Sequence, residues 1–138
     1  GDALLIAREN VHQWQVRVEL KMEDVLHPSA SAMQQQFDII VSNPPYICEK
    51  ERTAMAKNVL AYEPATALFV PDDDPLRFYR AIAEYGLQVF SEEGTLYFET
   101  NPIYINKVKE MLSSLGYKQI EQRGDQFGKL RFIKAIRP

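Results

Sequence analysis

The sequence predicts an α/β three-layer sandwich, with a sheet that is parallel in front and closed at its edge by an antiparallel pair. Three observations predict it. Stretches with helical apolar spacing alternate with short β-rich runs along the chain. The run Phe37-Asp38-Ile39-Ile40-Val41-Ser42 is apolar apart from Asp38 and its final serine and β-branched in the middle, the pattern of a parallel strand covered on both faces. The last two β-rich runs are joined only by residues 123–129, enough for a loose hairpin and too few for a crossover helix. The length of 138 residues suits one domain, and 46% hydrophobic with 25% charged residues suits a folded core under a wet surface.

Each element follows from local chemistry. Leu4, Ala7 and Val11, with good helix formers between them, predict a helix at the start, with Gly1 or Asp2 available as its cap. Val16 to Met22 alternates apolar and polar residues and predicts a strand with one wetter face, followed by the acidic pair Glu23-Asp24 at its carboxyl end. Residues 28–36 are polar and predict a loop with a short helical turn. Phe37–Ser42 is the clearest strand, and Asp38 belongs at the amino edge of the sheet, where a carboxylate can find partners. Residues 48–60 carry a loose apolar face, Ala54, Met55, Val59 and Leu60, and are expected to form a helical insert. Pro71-Asp72-Asp73-Asp74-Pro75 predicts a solvated acidic turn rather than a metal site, because consecutive like charges there need no fixed geometry. A helix is expected from Pro75 to Phe90 with Asp74 as cap and Leu76, Tyr79, Ile82, Ala83 and Leu87 facing in. A buried strand over Gly94–Glu99 precedes a helix from Ile103 to Leu115, with Gly116 ending it. Strands over Tyr117–Gln122 and Leu130–Ile136 complete the sheet.

Composition narrows the function classes. The formal net charge is -3 and the isoelectric point about 5.4, so no global basic field is available to hold a nucleic-acid backbone. Cys48 is the single cysteine and cannot form an intrachain disulfide; with two histidines it makes a poor metal set, and no metal is expected. His12 on the first helix and His27 in a polar loop read as surface residues. No apolar run reaches about 18 residues, and no charged-then-apolar leader pattern occurs, so a cytoplasmic, reducing location is expected.

The chemistry concentrates at Asn43-Pro44-Pro45-Tyr46, directly after the clearest strand. Proline fixes its own φ, lacks a backbone donor and restricts the residue before it, so the strand must end in a rigid corner. In open α/β sheets, ligands bind beyond the carboxyl ends of strands. The Asn43 amide offers one acceptor group and two donors, the Pro44 and Pro45 carbonyls are not claimed by a ladder, and the Tyr46 ring offers a flat face. The corner is either a plain tight turn or a binder of a planar, nitrogen-bearing group. It lacks a strong base, which favours a reaction that needs positioning more than proton abstraction, such as methyl transfer to nitrogen.

Ile40-Val41-Ser42-Asn43-Pro44-Pro45-Tyr46-Ile47 resembles the signature of Rossmann-like, S-adenosylmethionine-dependent amino-methyltransferases, most closely the release-factor glutamine methyltransferases of the HemK/PrmC type. The resemblance covers nearly the whole chain. It extends to Ala3-Leu4 with Ala7-Arg8 and Asn10, to Asp24, to Glu63-Pro64 with Ala67-Leu68, to Tyr79-Arg80-Ala81-Ile82, to Gly94-Thr95-Leu96 with Glu99, and to Gly128 with Arg131. The tetrapeptide alone also occurs in nucleic-acid adenine methyltransferases, and the later segments favour the protein-glutamine subfamily. The resemblance implies that Asn43 and the Pro44 carbonyl hold the substrate glutamine's amide nitrogen while the Tyr46 ring packs beside it, with Pro45 as part of the same substrate corner. It also implies that Asp24 reads the adenine amino group of S-adenosylmethionine, with Asn43 close to that cofactor as well. The acceptor so implied is the Gly-Gly-Gln motif of a peptide-chain release factor.

The same resemblance implies pieces that this sequence does not contain: a glycine-rich loop after a first strand, an acidic residue ending a second, and an N-terminal helical domain. Residues 1–138 are therefore expected to be the C-terminal portion of a methyltransferase catalytic domain, a partial Rossmann-like fold lacking its first two strands. Alone, the chain is expected to bind donor poorly and to self-associate through an exposed sheet edge or by strand exchange. A nucleic-acid adenine methyltransferase and a non-catalytic partner subunit retaining the fold are the alternative readings.

Overall fold

The computed structural model describes residues 2–48, 62, 64, 68–71 and 73–138. Helix α1 (Asp2–Trp14) opens the chain, and strands β1 (Phe37–Ser42), β2 (Ile47–Cys48) and β3 (Phe69–Val70) follow. Helix α2 (Arg77–Val89), strand β4 (Phe90–Glu99), helix α3 (Ile105–Ser114) and the hairpin β5 (Lys118–Gly124) and β6 (Leu130–Ile136) complete it. The main sheet has the order β1-β4-β6-β5. β1 and β4 are parallel, with Ile40 beside Leu96 and Ser42 beside Phe98. β4 and β6, and β5 and β6, are antiparallel. This is the expected partial Rossmann-like α/β fold with its closing antiparallel hairpin. β2 and β3 form a separate parallel pair.

The core lies between one face of this sheet and the two helices α2 and α3. Tyr79, Ile82 and Ala83 from α2, Val108 and Leu112 from α3, Leu96 and Phe98 from β4, and Ile133 and Ala135 from β6 form one buried cluster. The Tyr79 and Phe98 rings meet edge to face with centroids 5.2 Å apart. The Tyr117 hydroxyl donates to the Ala83 carbonyl at 2.6 Å, tying the start of the hairpin to the middle of α2. Gly116, at φ +91°, lets the chain turn out of α3: its N–H reaches the Ser113 carbonyl and the next N–H, of Tyr117, reaches that of Leu112.

Several expectations are corrected. No strand forms over 16–22; those residues run as irregular chain with Val18 and Met22 exposed. Alternation alone does not make a strand, because its backbone donors and acceptors need a neighbouring ladder, and none of the described strands offers one. β1 is not covered on both faces: it is an edge strand, with Ile39 58% and Val41 74% exposed. The face carrying Ile39, Val41, Tyr97 and Phe132 stays open, and α1 buries none of its residues, so the described residues fill the helix layer on one side of the sheet. Asp74 does not cap α2. The helix begins at Arg77 after Leu76, and the Asp74 carboxylate instead takes both short contacts of Arg80, at 3.1 and 3.2 Å. The insert expected over 48–60 lies outside the described residues except for Cys48, as do Glu63 and Ala67.

Candidate active site

Parallel pairing brings two strand ends together. β1 ends at Ser42 beside Phe98, so the corner at 43–46 emerges next to the end of β4, Glu99-Thr100-Asn101. Pro44 is buried, Pro45 and Tyr46 are half-buried, and Asn43 is exposed. Among the described residues nothing takes up the Asn43 amide, which leaves its oxygen and nitrogen open to a ligand.

Pro44 and Pro45 line one side of a groove of about 450 Å³, shared with Asp24, Val25, Ile40 and Phe78. Asp24, from the irregular segment before β1, thus lies across the same groove as the corner. Its Oδ1 accepts the Leu26 N–H at 2.9 Å and its Oδ2 meets His27 Nδ1 at 3.1 Å. The His27 hydrogen bond first, and the Leu26 N–H second, hold the Asp24 carboxyl below the ordinary range, so it stands ionised at the groove mouth. The expected surface position of His27 holds, but its contact with Asp24 was not read from the sequence.

Tyr46 faces away from the groove. Its ring packs on the core, and its hydroxyl donates to Glu99 Oε1 at 2.7 Å. Arg131 Nη1 approaches the same hydroxyl at 3.5 Å, and Arg131 Nε donates to Asp125 Oδ2 at 3.2 Å. The Asn101 side chain donates to the Tyr46 carbonyl at 3.0 Å. Burial first, then the Glu99 hydrogen bond and charge, push the Tyr46 phenol up to about 12, with Arg131 pulling it down. Tyr46 is therefore a neutral hydroxyl at physiological pH.

The sequence-predicted residues thus fall into two groups. Asp24, Pro44 and Pro45 share a groove, and Asn43 stands exposed on the same corner. Tyr46 supports the corner from behind. Glu99, Asn101, Asp125 and Arg131 are the contacts that sequence reasoning missed. The available signal was Glu99-Thr100-Asn101-Pro102, a second polar strand end with a proline, one strand over from the first. Among the described residues, no group of histidine, cysteine and acidic side chains could hold a metal ion, and no helix is long and apolar enough to cross a membrane.

The arrangement can seat a flat, amino-bearing ring between an acid and an apolar wall, and can present an amide to a second planar group. Comparisons with known proteins point the same way. A family model described as Eco57I restriction-modification methylase matches residues 2–123. The chain is 46% identical over 137 residues to the release factor glutamine methyltransferase of Bacteroides thetaiotaomicron, covering 99% of this chain and 49% of that protein. It is 39% identical over 133 residues to the protein of the same name from Flavobacterium psychrophilum, covering 96% of this chain and 46% of that one. A bifunctional methyltransferase of Rickettsia felis is 34% identical over 118 residues, 84% of this chain and 22% of that protein. The chain spans about half the length of the release factor glutamine methyltransferases it matches.

Proposed function

The chain belongs to the family described by the Eco57I restriction-modification methylase model and to the release factor glutamine methyltransferases of the HemK/PrmC type, and from that membership we propose that its whole protein methylates the side-chain amide nitrogen of a release-factor glutamine. Family membership implies dependence on S-adenosylmethionine. The acceptor is the glutamine of a Gly-Gly-Gln motif, and the product is N5-methylglutamine. The observation that carries this reading is the placement of Asp24 and the Pro44-Pro45 wall on one groove, at the strand end that presents Asn43.

The residues present suit the adenosine part of the donor. An ionised carboxylate at Asp24 accepts from an exocyclic amino group, and Val25, Ile40 and Phe78 offer an apolar wall for a flat ring. When bound, S-adenosylmethionine supplies a methyl group already activated on a sulfonium. The protein's task is then to make a poor nucleophile competent. An amide nitrogen is conjugated with its carbonyl, and its lone pair is weakly available. Two acceptors aimed at its hydrogens, the Asn43 side-chain oxygen and the Pro44 carbonyl, fix the amide's orientation and favour the charge that develops as nitrogen attacks. The two prolines hold both acceptors with little conformational entropy left to lose. We assign the grip on the donor's ribose and methionine to a glycine-rich loop and an acidic residue in the part of the longer protein that precedes this segment.

The test uses the full-length protein with radiolabelled donor, offering unmethylated release factor and adenine-containing DNA as separate acceptors. Label in the release-factor glutamine supports the reading, and label only in DNA rejects it in favour of an adenine methyltransferase. Asn43→Ala should lower transfer by about 100-fold or more while donor binding by calorimetry is little changed. Retained transfer would remove Asn43 from the acceptor role.

A further inference from the structure

We propose that Glu99, Asn101 and Arg131 are positioning residues that clamp Tyr46 from both its side chain and its main chain, and so fix the direction in which the acceptor corner presents Asn43 and Pro44. The inference rests on the acceptor reading above.

The clamp is assembled from the end of β4, the residues just after it, and the neighbouring strand β6. Glu99 ends β4, and its carboxylate takes the Tyr46 hydroxyl proton side at 2.7 Å. Asn101, nearly fully buried, donates through Nδ2 to the Tyr46 carbonyl at 3.0 Å, while its Oδ1 accepts the Ile103 N–H at 3.0 Å. A side chain held at both ends in this way cannot swing, so the Tyr46 carbonyl is held too. Arg131, on β6, approaches the lone-pair side of the same hydroxyl at 3.5 Å. Arg131 is itself fixed. Its carbonyl accepts both the Thr100 N–H at 2.7 Å and the Thr100 hydroxyl at 2.9 Å, and its guanidinium leans on Asp125 at 3.2 Å. Asp125 is held in turn by the N–H groups of Phe127 and Lys129 in the hairpin loop.

The physical point is leverage. Pro44 and Pro45 make the corner a stiff unit, so restraining Tyr46 at its far end restrains Asn43 at the near end. A corner set at the wrong angle would still bind, but its acceptors would no longer point at the amide hydrogens, and misplacement of that kind costs rate rather than affinity. The Glu99-Thr100-Asn101 end of β4 is thus a bracket for the Asn43-Pro44-Pro45-Tyr46 end of β1.

A double-mutant cycle in the full-length protein tests this. Glu99→Gln should lower kcat by about 10- to 100-fold with KM for release factor and donor affinity nearly unchanged. In a Tyr46→Phe background the same change should add less than about twofold, because its effect passes through the hydroxyl. Losses of Glu99→Gln that multiply fully in both backgrounds, or an unchanged kcat, overturn the proposal. A second readout separates failure of the clamp from failure of the acceptor reading. In tyrosine-labelled protein, Glu99→Gln should bring the Tyr46 titration down toward the ordinary phenol range whether or not release factor is methylated; an unmoved titration also overturns the clamp.

Discussion

Tyr46 has two tasks, and they are separable by experiment. Its hydroxyl satisfies the Glu99 carboxylate across the sheet, so Tyr46→Phe leaves that carboxylate with one partner fewer and should cost about 1–3 kcal/mol, read from the urea midpoint. The phenol also links stability to pH. Its folded value of about 12 lies above its ordinary value of 10.0, so the folded state holds the proton more tightly than the unfolded one. The contribution is complete below about pH 10 and is lost as pH rises toward 12. Tyr117, raised by burial, acts with the same sign. Urea unfolding measured at about pH 9 and about pH 11 should show a loss that Tyr46→Phe makes smaller; an identical loss in both proteins would mean that Tyr46 is not the linked group. At this scale the sequence identified Asn43, Pro44, Pro45 and Tyr46, because prolines after a strand-like run are a local signal, and it identified Asp24, one of the pair Glu23-Asp24, through the family resemblance. It singled out Arg131 as a family position but could not show that its guanidinium reaches Tyr46, across a separation of 85 residues.

The elements differ in how much they are worth. Helix α3 buries Ile105, Val108 and Leu112 against β6 and α2, whereas α1 buries nothing and leaves Leu5 56% exposed. Leu112→Ala should therefore cost about 2–5 kcal/mol through a cavity, and Leu5→Ala no more than about 0.5 kcal/mol. Equal shifts in the two urea midpoints would show that α1 packs more tightly than described. Gly116→Ala should cost about 1–2 kcal/mol, because its left-handed φ crowds a Cβ and Pro138 lies close to where that atom would sit. Helical elements were legible within two or three residues, since the 3.6 period is written into α2 and α3. The strand read over 16–22 was not a strand, because period 2 describes a side-chain pattern and not a hydrogen-bonding partner.

For the whole molecule, the decisive feature is an uncovered edge. β1 is one of the two edge strands of the described sheet, and the face bearing Ile39, Val41, Tyr97 and Phe132 is open. We predict that the 138-residue chain by itself associates through this edge, giving a light-scattering mass above its 15.9 kDa. A stable monomer across the micromolar range would reject that. We also predict weak donor binding by the same chain, since its groove offers Asp24 and an apolar wall to the adenosine end and the ribose and methionine contacts are assigned elsewhere. Calorimetry with micromolar affinity would reject the assignment.

The sequence by itself determined the chemistry of the corner, the order of the helices and the closing hairpin. These depend on proline stereochemistry, apolar period and loop length, all properties of neighbours along the chain. Tertiary structure alone decided that Tyr46 turns inward to Glu99 and Arg131, that His27 meets Asp24, and that residues 16–22 stay irregular. Each of these depends on which strand lies beside which, and a backbone donor or buried hydroxyl takes its conformation from the partner it finds in space.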